Sequence, residues 1–386
     1  MIDPMGRTVR KSRIWLVLLL SPIAITARAS DDWPTHYAFG NGVDVGLKGL
    51  LQYDSNDFGN DRLPGGMHVF DDAHDWRRKE FNLYVNKSGV FEINAGYDFQ
   101  ARAWVDNYLA VETPAGRFRA GQFKTPVGWE DGNTSTGATL FLERALPEQA
   151  VHEGRRVGLE WQRGITSKWL LQAVWFARGD LNADADGTTI AGRAVFTPVR
   201  STDAVVHLGV SASREERDDG TARVRARPEV ALTPVRLVDT GTLQGVDHVD
   251  RVGVEAGWLR GPLLLQGEYL SLRAHRPAMS DFTSQGGYVT AAWLLTGEAH
   301  GYKGSGFANP VPAHAWGAVE LALRFSTLDL DSGSVTGGRE HDWTLGLNWY
   351  LGKHFKLQAN YIRAFSDCGD LDIDSRIFAL RAQLAF

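Results

Sequence analysis

The feature that most constrains this chain is a strict alternation of apolar and polar residues, repeated in segment after segment. From Phe91 to Phe99 the odd positions are Phe91, Ile93, Ala95, Tyr97 and Phe99, and between them stand Glu92, Asn94, Gly96 and Asp98. From Trp343 to Leu351 the odd positions are Trp343, Leu345, Leu347, Trp349 and Leu351, interleaved with Thr344, Gly346, Asn348 and Tyr350. Phe355, Leu357, Ala359 and Tyr361 alternate with Lys356, Gln358 and Asn360, and the chain closes on Phe378, Leu380, Ala382, Leu384 and Phe386 around Arg381 and Gln383. Successive side chains of a strand point to opposite faces, so a period of two gives each strand one greasy face and one polar face. No convincing helical period accompanies it, and no fixed repeat of roughly 20 to 50 residues points to a solenoid or a propeller.

Counting such segments predicts about sixteen strands, at 43–53, 77–87, 90–100, 105–112, 116–124, 155–163, 169–178, 189–197, 205–214, 251–260, 262–272, 285–296, 315–328, 341–351, 354–365 and 375–386. The connections after the second, fourth, sixth, tenth and fourteenth are short, as in Arg260-Gly261-Pro262 and Gly352-Lys353, whereas those after the first, fifth, seventh, ninth, eleventh and fifteenth are mostly long and polar. The twelfth, from Gly297 to Ala315, breaks the rule by being long on the short side.

The first 29 residues are set apart from this pattern. Arg7, Arg10, Lys11 and Arg13 precede an apolar run from Ile14 to Ile25, and Ala27-Arg28-Ala29 supplies the small residues that a signal peptidase accepts. That run is short of the roughly 20 residues a membrane-spanning helix needs. We read 1–29 as a signal peptide and 30–386 as one β-barrel domain. Without the first segment the chain carries 36 Lys+Arg against 45 Asp+Glu, a net charge of −9, which disfavours nucleic acid as a partner. The single Cys368, among Asp367, Gly369 and Asp370, excludes a disulfide scaffold.

An exported sheet of this kind can bury its apolar face inside a sandwich or turn it to lipid. In hydrocarbon every unpaired backbone group costs several kcal/mol, so only a closed ladder can span, with apolar side chains outside and the alternate set facing the lumen. The strand number and the asymmetry of turns and loops favour the second solution. The expected fold is therefore an all-β transmembrane antiparallel barrel of about 16 strands, with short periplasmic turns and long extracellular loops, placed in the bacterial outer membrane.

Several stretches also carry a resemblance. Gly121-Gln122-Phe123-Lys124-Thr125-Pro126, the run from Tyr288 to Glu298, the run from Trp316 to Ser326, Gly346-Leu347-Asn348-Trp349-Tyr350-Leu351 and the final Arg381-Ala382-Gln383-Leu384-Ala385-Phe386 resemble motifs of the phosphate-selective porin O and P family, in that family's order. The resemblance implies a trimer with one anion-conducting pore per protomer, a loop folded inward as a constriction, and an extended twelfth connection.

An anion path needs Lys and Arg projecting into the pore, and the planar fork of Arg suits phosphate. Arg77 and Arg78 match an arginine pair that the family places near its constriction; by alternation with Phe81, Leu83 and Val85, Arg78 is expected inward and Arg77 at the rim. Arg223, Arg225 and Arg227 fall at a period of two and resemble the family's arginine ladder, which Arg236 extends; a solvated loop edge is the alternative. Asp106 is the position similar to the family's acid near the phosphate site. Other inward cations by phase are Lys48, Arg117, Arg119, Arg193, Arg324 and Arg381, for which cross-wall salt bridges are the simpler role, since Asp44, Glu80, Asp98, Glu160, Glu255, Glu268 and Glu320 share their face. Two departures weigh against phosphate as the specific ion. The constriction segment from Thr125 to Glu153 has Arg144 but no lysine, and the extended twelfth connection carries only Lys303.

The function expected is a passive water-filled channel for small anions, phosphate or polyphosphate first, within outer-membrane lipid and lipopolysaccharide. Alternatives are an uptake channel for another anion or small solute, and a barrel enzyme. No Gly-x-Ser-x-Gly elbow, His-Glu-x-x-His pair or phosphate-binding glycine loop appears, so no catalytic residue, metal or cofactor is expected.

Overall fold

The computed structural model describes residues 33, 35–62, 66–183, 187–369 and 372–386, so the proposed signal peptide lies outside the described residues. Sixteen strands close one antiparallel sheet, and a further short strand, His36–Ala38, folds back onto the first of them. In chain order they are β1 (Val43–Gly59), β2 (Ala73–Lys87), β3 (Phe91–Asp98), β4 (Ala103–Thr113), β5 (Gly116–Lys124), β6 (Arg155–Gly164), β7 (Trp169–Phe176) and β8 (Thr189–Arg200). They continue as β9 (Ala204–Glu216), β10 (His248–Arg260), β11 (Leu263–His275), β12 (Phe282–Leu294), β13 (Ala318–Ser332), β14 (Val335–Leu351), β15 (Phe355–Asp367) and β16 (Ile373–Ala385). Each strand pairs with its neighbours in sequence, and β1 closes on β16 with Leu50 opposite Ala385 and Gly59 opposite Arg376. The seam continues past the last strand, because Gly49 N–H donates to the Phe386 carbonyl at 2.9 Å and Phe386 N–H to that of Gly49 at 3.0 Å. Gly49 lets the Phe386 ring lie against the strand, since a Cβ there would sit 2.4 Å from the ring's far edge and push it aside.

The pleat is inside-out relative to a water-soluble protein. Leu83, Leu159, Val210, Val252, Val289, Leu323, Leu345 and Phe378 are exposed on the outer wall. Their sequence neighbours Glu160, Ser211, Arg251, Thr290, Arg324 and Thr344 are buried on the inner one. Such a wall is stable only where hydrocarbon replaces water outside it. The connections at one end are short, two to four residues at 88–90, 114–115, 165–168, 201–203, 261–262 and 352–354. The other end carries the long segments 125–154 and 217–247, although 99–102 and 333–334 are short there too.

Two long connections turn into the barrel. The segment 125–154 crosses the lumen from the loop end and carries the single α-helix among the described residues, α1 (Leu146–Val151). From the turn end, the twelfth connection folds into a small hairpin, Gly301–Lys303 against Gly306–Ala308, whose two-residue turn has positive φ at both Gly304 and Ser305. The two meet in the bore: Trp129 Nε1 donates to the Ser305 carbonyl at 3.0 Å, and the Trp129 ring stacks on His207 at 4.3 Å between centroids. Arg193 Nη1 donates to Ser305 Oγ at 2.7 Å. Trp129, Phe141, Leu259, Leu264 and Phe307 thus form an apolar plug against the β9–β13 side, and open space is left beside β1–β6.

Leu345 lies midway along the apolar outer stripe of β14. Leu345→Arg is expected to destabilise the barrel by about 2–4 kcal/mol in a reversible lipid-vesicle unfolding experiment. A change within about 0.5 kcal/mol, as on an ordinary water-exposed surface, would show that this face does not meet hydrocarbon.

Candidate functional site: a cation-lined pore

The open side of the bore holds two cavities in line. One of about 620 Å³ faces the loop end and is lined by Arg77, Arg78, Arg144, Arg223, Arg225, Arg227 and Arg236 with Asp98, Glu143 and Glu148. One of about 460 Å³ faces the turn end and is lined by Lys48, Asn82, Asp106, Arg119 and residues 132–137. Glu80, Lys124, Asp131, Thr136 and Arg155 line both, which marks the narrow passage between them.

Arg77 does not sit at the rim, as simple alternation requires. The β1–β2 register slips between Gln52, opposite Arg78, and Tyr53, opposite Trp76, so Arg77 is the extra residue of a β-bulge. A bulge re-aims one side chain, and both arginines of the pair face the lumen. Arg77 Nε donates to Glu143 Oε1 at 2.8 Å and its Nη2 to Oε2 at 3.1 Å, a bidentate clamp on the infolded segment. Arg78 Nη1 donates to Gln52 Oε1 at 2.9 Å, a neutral partner that leaves its charge uncompensated at contact distance.

The segment 217–247 also leans inward and presents the arginine row. Arg223 is held by Asp239, with Nε to Oδ1 at 2.8 Å and Nη2 to Oδ2 at 2.6 Å. Arg225 has no ion pair among the described residues, Arg227 Nε reaches only the Thr233 carbonyl at 2.8 Å, and Arg236 Nη1 only the Pro234 carbonyl at 3.4 Å. Burial first, then Arg227 and Arg225, push the Arg236 guanidinium down to about 10. Asp239 opposes that direction and is outweighed by burial and the neighbouring guanidiniums. The row is tied to the constriction by Gln149, whose Nε2 donates to the Arg227 carbonyl at 3.3 Å and whose Oε1 accepts from Arg227 N–H at 3.2 Å.

Asp106 lies in the lower cavity, where its Oδ1 accepts from Arg155 Nε at 2.8 Å. At the narrow passage Asp131 is shared: Lys124 Nζ lies 3.2 Å and Arg144 Nε 2.9 Å from its Oδ1. Burial opposes ionisation of Asp131, yet Arg144, His152 and Lys124 outweigh it and hold the carboxyl well below the usual range. Glu143 behaves alike, with burial overcome by Arg77, Arg381 and Arg78. Arg193 and Arg381 are buried in cross-wall ion pairs with Glu255 and Asp54, and Arg324 pairs instead with Glu229 of the infolded segment 217–247. Lys124, Arg144 and Arg155 are the pore-lining cations that sequence reasoning did not single out as a group. Lys124 stood within the Gly-Gln-Phe-Lys-Thr-Pro stretch, and its position at the end of β5, where the chain turns into the lumen, was the available signal.

A closed barrel with an apolar outer wall and a charged bore has the architecture of outer-membrane porins. More particularly, the chain belongs to the phosphate-selective porin O and P family, whose model matches residues 45–386. It is 28% identical over 307 residues to an uncharacterized protein of Caulobacter vibrioides, covering 72% of this chain and 61% of that one. It is 31% identical over 242 residues to Porin O of Pseudomonas aeruginosa, covering 53% of this chain and 55% of that one. In both cases the match spans less than two thirds of the relative's length. The fold is similar to the anion-selective porin from Comamonas acidovorans, at TM-score 0.59 and 13% identity over 89% of this chain and 100% of that one. It is equally similar to OmpT of Vibrio cholerae, at TM-score 0.60 and 10% identity over 90% and 99% of the two chains.

Glu143→Gln removes the carboxylate that neutralises Arg77 and also contacts Arg381. Reversal potentials in a salt gradient are expected to move toward the anion value, with the anion-to-cation permeability ratio rising about two- to fivefold. An unchanged reversal potential would place Glu143 outside the conducting path.

Proposed function

We propose that the channel passes small anions by passive diffusion, phosphate among them. The observation that carries this reading is that Arg78, Arg225, Arg227 and Arg236 line one cavity with no carboxylate paired to them among the described residues. An oxyanion entering from the loop end meets successive guanidiniums that offer forked hydrogen bonds, and then the passage between Lys124 and Arg155. Several weak sites in series suit conduction, since an ion held too tightly at one site does not leave.

Asp131 favours a second reading within the same architecture. A carboxylate where the two cavities meet, in the stretch where the resemblance would place a lysine, suits a less selective channel for small anions, organic acids included. Membrane-impermeant phosphate and carboxylate competitors separate the two.

A trimer in the outer membrane, exported through the segment 1–29, completes the proposal. Strands β3 and β7 have only 8 residues each, short of the roughly 9–11 a lipid-facing strand needs, so that side of the wall suits contact with other copies. The outward pairs Arg214–Asp250 and Arg273–Asp281, at the loop end above the apolar belt, suit the headgroup level of lipopolysaccharide.

Planar-bilayer recording tests the ion assignment. Anion-preferring steps are expected, reduced by millimolar phosphate in chloride solution, and Arg78→Ala and Arg225→Ala are each expected to lower the anion-to-cation ratio about two- to tenfold. Cation-preferring current indifferent to phosphate would reject the phosphate reading while leaving the porin intact.

A further inference from the structure

We infer that His152, near the end of the infolded segment 125–154, is a specificity-determining residue that moves the preference of the pore toward anions as the pH falls. The inference deepens the anion-channel reading proposed above and rests on it for the kind of ion that passes. His152 follows α1 directly and lines the loop-end cavity, with its side chain 41% exposed. Its Nδ1 is hydrogen-bonded to Oδ2 of Asp131, the carboxylate whose other oxygen Lys124 and Arg144 share at the narrow passage. Its Nε2 has no hydrogen-bond partner among the described residues. That atom lies over Gly154, where even a Cβ would stand 3.6 Å away, so no side chain covers it there.

The state of Asp131 decides which imidazole nitrogen carries the proton. A carboxylate held between a lysine and an arginine is ionised, and an ionised carboxylate only accepts. Nδ1 therefore donates to Asp131, and in the neutral ring Nε2 is left as a bare acceptor. A lone pair on the cavity wall repels an anion. Protonation turns the same atom into an N–H donor and gives the ring a full positive charge. Imidazole is the side chain whose charge ordinarily changes between about pH 5 and 8, so one atom changes from acceptor to charged donor over that range.

The groups around His152 are already engaged. Lys124 of β5 and Arg144 are committed to Asp131, and Arg155 of β6 donates to Asp106 of β4 at 2.8 Å. Glu148 of α1 accepts from the backbone N–H groups of Glu130 and Asp131 at 2.6 and 3.3 Å. Asp180, in the connection after β7, lines the same cavity. The infolded segment has no lysine, and Arg144 is its one permanent cation. His152 is thus the cation of this segment that pH can add or remove.

Reversal potentials of the full chain in planar bilayers test this in a KCl gradient, whose ions do not titrate. Between about pH 7.5 and about pH 5.5 the wild-type anion-to-cation permeability ratio is expected to rise about two- to fivefold, the effect of one unit charge a few ångströms from the ion's path in water. His152→Asn retains an N–H toward Asp131 but cannot gain a charge, and it is expected to keep the wild-type ratio of the higher pH throughout. His152→Lys is expected to keep a ratio near that of the lower pH throughout. A response of undiminished size in His152→Asn would overturn the inference and move the titrating group elsewhere on the wall, first to Glu148, whose carboxyl burial pushes up. So would a wild-type pore that prefers anions equally at both pH values. A pore that prefers cations at both, yet shifts toward anions in acid and loses the shift in His152→Asn, would reject the anion reading and leave the role of His152 standing.

Discussion

The pairing of the first strand with the last is the constraint on which the rest of this structure depends. An open sheet would present unpaired N–H and C=O groups along two edges, and in hydrocarbon each such group costs several kcal/mol. Once Val43–Gly59 lies against Ile373–Ala385 the ladder has no edge, and the alternation of every strand acquires a meaning. Apolar positions meet lipid, polar positions meet the bore, and a slip of one residue would exchange the two sets.

Closure produces a bore that must then be furnished, and the lumen divides into two regimes. Against β9–β13 it is packed and dry, with Trp129 of the infolded segment stacked on His207 and covered by the hairpin that enters from the turn end. The buried ion pair Arg193–Glu255 ties that interior together, and Arg381–Asp54 does the same at the seam where the first and last strands meet. These cations are neutralised where they stand and serve shape. Against β1–β6 the bore is open, and there Arg78, Arg227 and Arg236 donate to amide or backbone oxygens, while neither they nor Arg225 makes an ion pair among the described residues. Net charge is a poor guide to such a bore, because an acidic chain can still gather guanidiniums in one part of it.

Much of the wall was legible because lipid enforces period two. Each of the sixteen predicted segments overlaps one strand, yet β1 continues through Asp54–Gly59 and β14 begins at Val335, well before the predicted 341. Those extensions are polar on both faces, so alternation had no contrast to show. The rim placement of Arg77 failed for a related reason, since a β-bulge is a register event between two strands and leaves no trace in either alone. The length of the twelfth connection was plain in the sequence, but its descent into the bore rests on contacts between Ser305 and residues more than a hundred positions away. Arg155 and Lys124 converge on the narrow passage only because the segment 125–154 bends inward between their strands.

Thiol accessibility in a Cys368→Ser background tests the inside-out arrangement most directly, because Asn82 and Leu83 are consecutive residues of β2 that it places in different solvents. Asn82 lines the lower cavity and Leu83 is exposed on the outer wall. In lipid bilayers, Asn82→Cys is predicted to react with a membrane-impermeant anionic thiol reagent and to lose current as it does so, while Leu83→Cys stays unmodified. Equal labelling of the two, or reaction at Leu83→Cys alone, would contradict a water-filled bore behind a lipid-facing wall.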